Sequence, residues 1–221
     1  MSALGDRLAD VDARIADAAR VAGRDPGELV RIVVTKFQPA SLVRELFDLG
    51  VRDVGENRHQ EASAKAAELA DLGLSWHFVG QLQSNKAKAV ARYARTIHSV
   101  DRSSLVAALA GTGVDCFIEL NLTDDPARGG VAPDAAEALA EHVAATEGLS
   151  LRGVMAVAPL GAEPRAAFAR VREVSHRIRS IVPAATAISA GMSGDFAEAI
   201  AEGATHLRIG TAITGNRPLP G

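Results

Sequence analysis

Eight short runs rich in aliphatic and β-branched residues recur along the 221-residue chain, and a helical pattern separates each from the next. The runs are 31–35, 51–55, 76–80, 96–100, 115–121, 151–157, 186–190 and 205–210. Several are almost continuously apolar, as parallel strands covered on both faces must be. Strict alternation of strand and helix implies right-handed crossovers between parallel neighbours. Eight such units in about 190 residues predict an α/β fold, a single-domain (β/α)₈ barrel of the TIM type. An open doubly wound sheet is the alternative, but no G-x-G-x-x-G follows the first strand.

The intervening segments carry helix punctuation. Residues 3–22 place Leu4, Leu8, Val11, Ile15 and Ala18 on one face, with Ser2 as N-cap and Gly23 as stop. This helix precedes the first strand and is therefore extra to the barrel. Pro39 opens a helix that closes at Gly50, and another runs through residues 57–73. Ser84 is read as the N-cap of a helix through Tyr93, and Ser103 starts one that stops at Gly111. Pro133 and Gly148 bracket the next, Phe168, Val171, Ile178 and Val182 stripe the longest, and Phe196 and Ile200 anchor the last before Gly203. No linker of Gly, Ser or Pro divides the chain, so residues 1–221 are expected to form one domain.

The totals exclude several functions. A formal charge of −3 leaves no basic footprint for nucleic acid, and Lys86, Lys88, Arg92 and Arg95 read as the solvated face of one helix. No stretch approaches the ~20 apolar residues of a membrane span. Charges at Asp6, Arg7, Asp10 and Asp12 interrupt any signal-peptide core, so a cytoplasmic protein is expected. The single cysteine, Cys116, sits in a strand and reads as a buried, inert thiol. The six histidines show no paired metal-ligand spacing, so no metal site is expected.

Chemistry in such barrels gathers where strands end. Lys36 follows the first run, either reaching solvent or serving as a reactive amine able to form a Schiff base. Glu56 and Asn57 follow the second, His77 lies in the third, and Met155 in the sixth. "GMSGD" (191–195) and "GTAITG" (210–215) follow the seventh and eighth, the place where these barrels hold a phosphate. The N–H groups near Ser193, Gly194, Gly210 and Thr211 are suited to a dianion. Pyridoxal phosphate accounts for the whole set, with its aldehyde at Lys36, its phosphate in the last two loops and its ring nitrogen at Arg208.

With those residues placed, the chain resembles the pyridoxal-phosphate homeostasis protein family, single-domain relatives of the barrel half of alanine racemase. The resemblance runs through "VVTKFQP", "VGENRHQE", "WHFVGQLQSNK", "HSVD", "GVMAV", "GMSGD" and "RIGTAITGNR". It implies that Lys36 is the Schiff-base lysine, that Ser193, Gly210 and Thr211 contact the phosphate, and that Arg208 faces the pyridine nitrogen. Asn57, His77 and Met192 look like members of the same pocket, although His77 also reads as a bonded core histidine. The chain departs from the family pattern at Ala190, Arg128 and Thr214, where methionine, lysine and phenylalanine are usual. The resemblance implies a carrier that supplies pyridoxal phosphate to apo-enzymes, without turnover of its own, and a monomer is expected.

Two other functions stay open on the residues: an amino-acid racemase and an aldolase-like barrel that uses lysine alone. A guanidinium against the ring nitrogen disfavours protonation there and weakens the cofactor as an electron sink. In alanine racemases a tyrosine from a second, all-β domain supplies the opposing base. Here the chain stops about ten residues after the eighth run, and Tyr93 is the single tyrosine. His77 and Glu56 are the substitutes left for that role, and Glu56 reads better as ordering its loop.

Overall fold

A computed structural model of the protein describes residues 2–125 and 127–215. Asn216 and Arg217, which close the last motif quoted above, lie outside the described residues. The eight expected strands are all present: β1 (Val30–Val34), β2 (Asp53–Glu56), β3 (Ser75–Phe78), β4 (Ala94–Val100), β5 (Val114–Leu120), β6 (Leu149–Ala156), β7 (Ala187–Ser189) and β8 (His206–Ile209). They pair in parallel in sequence order, and β8 closes on β1 through the register Val30↔His206 to Val33↔Ile209. The barrel is therefore closed and has no free sheet edge.

The helices are α1 (Ala3–Val21), α2 (Ala40–Asp48), α3 (His59–Glu68), α4 (Ala87–Val90), α5 (Ser103–Leu109), α6 (Ala136–Ala145), α7 (Pro164–Ile181), α8 (Phe196–Ala201) and α9 (Thr211–Thr214). The Ser2 side chain accepts the Gly5 N–H, as an N-cap should, and Gly23 at φ 68° takes the left-handed turn that ends α1. Leu4, Leu8, Val11 and Ile15 are buried. α1 lies against α8 and α9, where the Arg7 Nε donates to the Ile213 carbonyl at 2.7 Å.

Two helix readings need correction. Ser84 is not an N-cap: it begins a single 3₁₀ turn capped by Gln83, and α4 is one turn long. The Ser84 hydroxyl instead accepts from Arg102 at 3.3 Å. The chain must enter β4 at Ala94, so Tyr93 falls in a turn rather than in a helix. The basic residues are consequently spread over that turn, α4 and β4 and share no helical face.

Polar and aromatic side chains fill part of the barrel's inside. The His98 ring stacks on Phe117 with centroids 4.5 Å apart, and Phe117 meets the His206 ring edge-on at 5.1 Å. β8 does not neighbour β5, so the Phe117–His206 contact crosses the interior. Between barrel and helices the packing is mainly aliphatic, with Trp76, Phe78, Phe168 and Phe196 set among the Val, Leu, Ile and Ala side chains. Cys116 is part of that layer, and burial pushes its thiol up to about 12.

Candidate functional site

A cavity of about 440 Å³ opens at the C-terminal ends of the strands. Seven of the eight residues singled out in the sequence line it: Lys36, Asn57, Met192, Ser193, Arg208, Gly210 and Thr211. Gly194 joins them, and Val34, Val79, Gly80 and Val157 complete the wall. These apolar residues went unremarked in the sequence. Their signal was position, since each closes or directly follows a strand.

Lys36 leaves the end of β1 with its side chain exposed to the cavity, not desolvated. A buried lock holds the backbone behind it. Glu56 Oε1 accepts from the Thr35 hydroxyl at 2.7 Å and from Lys65 Nζ at 2.6 Å, and Lys65 Nζ also donates to the Thr35 carbonyl at 2.8 Å. Three elements, β1, β2 and α3, thus converge one residue before Lys36. Glu56 serves the ordering role read from the sequence. Immediately beyond, Phe37 takes φ 66°, an unfavourable left-handed conformation for a side-chain-bearing residue, while its N–H donates to Glu61 Oε2 at 3.0 Å.

Asn57 follows β2 and crosses close under Gly80. A Cβ at Gly80 would stand 2.2 Å from the Asn57 carbonyl oxygen, so only glycine lets the two loops pass. The Asn57 Oδ1 atom is sealed from solvent and has no protein partner among the described residues.

Arg208 rises from β8 and is almost fully buried. Its Nη1 donates to Ser189 Oγ at 2.7 Å and its Nη2 to the Ala156 carbonyl at 2.9 Å, which fixes the plane of the guanidinium. Burial lowers its pKa to about 10, with Glu119 and Asp195 opposing the shift, so the group stays charged at neutral pH. Glu119 is pushed up to about 7, first by burial and then by Asp101, against Arg208 and Arg128. Neither the half-buried Glu119 nor its influence on Arg208 was anticipated from the sequence.

The loops after β7 and β8 form one rim. The Met192 N–H donates to Asp195 Oδ1 at 2.6 Å, and the Ala212 N–H reaches Ser193 Oγ at 3.3 Å, which joins the two loops. Gly191 at φ 90° makes this possible: a Cβ there would lie 2.8 Å from that of Ala199. The N–H groups of Ser193, Gly194 and Thr211 meet no acceptor among the described residues, and nothing stands within 4 Å of where a Gly194 Cβ would be.

His77 does not line the cavity. It lies deeper in the barrel, with Nε2 3.0 Å from Asp53 Oδ1 and Nδ1 3.0 Å from His98 Nε2. The reading of it as a bonded interior histidine describes its surroundings. Met155 is a buried core residue, whereas Met192 is exposed at the cavity rim.

This geometry combines an amine, a rim of unpartnered N–H groups, a buried cation and apolar walls. It suits an anionic ligand with a planar apolar body. Residues 28–218 match the family model described as alanine racemase, N-terminal domain. A Mycobacterium tuberculosis protein named pyridoxal phosphate homeostasis protein is 43% identical over 99% of this chain and 94% of its own length. The protein of that name from Pseudomonas aeruginosa is also 43% identical, over 98% and 97%. The chain belongs to the pyridoxal phosphate homeostasis protein family. Among solved structures, PipY of Synechococcus elongatus with PLP bound superposes with a TM-score of 0.83 at 34% identity, over 96% of this chain and all of that one. Membership in the family spans the barrel and α1 alike.

Proposed function

We propose that the protein binds pyridoxal 5'-phosphate in this cavity and holds it in reserve for apo-enzymes, without turnover of its own. The observation that carries the reading is the pairing of Lys36 with the unpartnered N–H rim of Ser193, Gly194 and Thr211 across one cavity. The residues fit the cofactor. Ser193 and Thr211 add hydroxyls to the rim, Gly194 and Gly210 let a phosphate approach the backbone, and Val34, Val79 and Val157 offer apolar contact for a ring. Asn57 brings an amide oxygen that is unpaired among the described residues. When bound, the cofactor supplies an aldehyde, and Lys36 is the residue in our reading that joins it as a Schiff base. Arg208, charged and held by two hydrogen bonds, disfavours a second positive charge on a ring nitrogen beside it. The relatives' shared name and the PLP in the PipY structure support the same reading.

A monomer in the cytoplasm is part of the proposal. Among the described residues the large exposed apolar side chains, Val21, Leu49, Leu160, Ile181 and Met192, come from five separate segments, and the one cysteine is buried.

The test is borohydride reduction of the protein loaded with pyridoxal phosphate, followed by peptide mapping. The label is expected on Lys36, and Lys36→Ala should lose both the yellow absorption and the retained cofactor. Labelling chiefly at another lysine would refute the assignment.

A further inference from the structure

A continuous line of side-chain hydrogen bonds descends from the cavity through the barrel. Arg208 Nη1 meets Ser189 Oγ at 2.7 Å, and Ser189 Oγ meets His98 Nδ1 at 2.9 Å. His98 Nε2 meets His77 Nδ1 at 3.0 Å, and His77 Nε2 meets Asp53 Oδ1 at 3.0 Å. Ser189, His98, His77 and Arg208 are all buried, while the Asp53 side chain keeps 33% of its exposure. Asp53 opens β2, at the opposite end of the barrel from the cavity, and lines a separate cleft of about 460 Å³ beside Asp12, Arg31 and Arg52. The line therefore links two faces of the molecule.

Its two ends have fixed polarity. A guanidinium only donates and a carboxylate only accepts. Ser189 Oγ receives Arg208, so its own proton needs an acceptor, and His98 Nδ1 is the one within reach. His98 then carries its proton on Nε2 and donates to His77 Nδ1. His77 in turn carries its proton on Nε2 and donates to Asp53. Every donor finds an acceptor and both rings stay neutral. The reverse order fails at both ends. It would leave the Ser189 proton without a partner, and it would either set a His77 lone pair against the carboxylate or require a buried imidazolium.

We infer that Asp53, His77, His98 and Ser189 form a one-way hydrogen-bond relay that positions Arg208 at the cavity floor and couples it to the carboxylate on the far face of the barrel. Burial holds His98 well below the usual imidazole range, and the His77 hydrogen bond lowers Asp53, in keeping with a neutral His98 and an ionised acceptor at the end of the line. His206, lowered to about 4 mainly by burial, adds no charge at neutral pH beside the relay. The four residues are positioning residues, and the consequence for the cofactor rests on the function proposed above.

The experiment is long-range ¹⁵N–¹H correlation of the histidine rings in the full chain at pH 7, before cofactor is added. His77 and His98 are expected as neutral Nε2–H tautomers. A proton on Nδ1 of His98 would overturn the relay. Asp53→Leu removes the last acceptor, and it should shift the His98 ring signals and the Arg208 Nε–H as well as His77. Asp53→Asn, whose amide oxygen still accepts, should restore the parental tautomers. In a Ser189→Ala background the Asp53→Leu shift should stop at His98. An Arg208 signal unmoved by Asp53→Leu in the parent would also overturn the coupling. With pyridoxal phosphate, Asp53→Leu should raise the dissociation constant several-fold and Asp53→Asn should not, and equal affinity in all three would refute the coupling to the ligand. Failure of the parent to take up pyridoxal phosphate would sink the functional reading instead, and the tautomers would still decide the relay.

Discussion

Glu119 stands inside the barrel mouth with one carboxylate oxygen sealed and unpartnered among the described residues, and its pKa is pushed from 4.5 to about 7. The folded state thus keeps a proton that the unfolded chain releases as pH rises from 4.5 to 7, so stability falls across that window. The full effect is about 3 kcal/mol. Glu119→Gln is neutral at every pH. It should therefore match the parent near pH 4.5 and exceed its stability by up to about 3 kcal/mol at pH 8, read by urea unfolding at both values. A gap that does not change with pH would contradict the assignment. Lys36 is the opposite case at this scale: its position was legible because a charged residue after an apolar strand stands out in one dimension. Glu119 in "CFIEL" looks like any strand residue until the facing side chains are known.

The exits of β1, β2, β7 and β8 do the positioning. Glu56 Oε1 and Lys65 Nζ form a buried pair and both hold Thr35, while Glu56 Oε2 has no partner among the described residues. Breaking one side leaves a buried charge, so Glu56→Gln and Lys65→Met should each destabilise by about 3–5 kcal/mol. The double replacement should cost less than the sum of the two, which a double-mutant cycle measures. At the other rim, Ser193→Ala and Thr211→Ala should each weaken pyridoxal phosphate by about 1–3 kcal/mol, the scale of a hydrogen bond to a charged group. Pyridoxal without its phosphate should bind much more weakly than the phosphorylated form. Equal affinities in a direct titration would remove the phosphate from these loops. The loops themselves could be read from "GMSGD" and "GTAITG", because glycines beside hydroxyls signal close backbone approach. The Glu56–Lys65 pair could not, since nothing in the sequence says that helix α3 turns that lysine inward.

Closure of the barrel decides what can face the cavity from opposite sides, and hence which reactions are open to it. Racemisation needs an acid/base group on each face of a substrate carbon, each within about 3 Å of its proton. Lys36 can serve one face. Tyr93 lies outside the barrel, beside His59 at 3.4 Å, and burial pushes its hydroxyl above the usual tyrosine range. Glu56 is committed to Thr35 and Lys65, and His77 to Asp53 and His98. The loaded protein, incubated with L-alanine in deuterated water, is therefore expected to give no steady formation of the D-form. Multiple turnovers dependent on Lys36 would restore the racemase reading.

Alternation of apolar runs and helical stripes was enough to settle eight parallel strands, their order and the strand-end loops, because these depend on neighbours close along the chain. Which side of each strand looks inward was another matter. Side chains alternate with a period of two, so a one-residue shift exchanges the faces. Register shifts occur at Trp76/His77, Ile97/Val100 and Cys116/Phe117, next to or on the strands that carry His77, His98 and Glu119. Ser189 and His98 are 91 residues apart and bond only because the closed barrel sets β7 across from β4. The relay and the half-buried Glu119 carboxylate thus arise from ring closure and register, which pair residues that no local pattern connects.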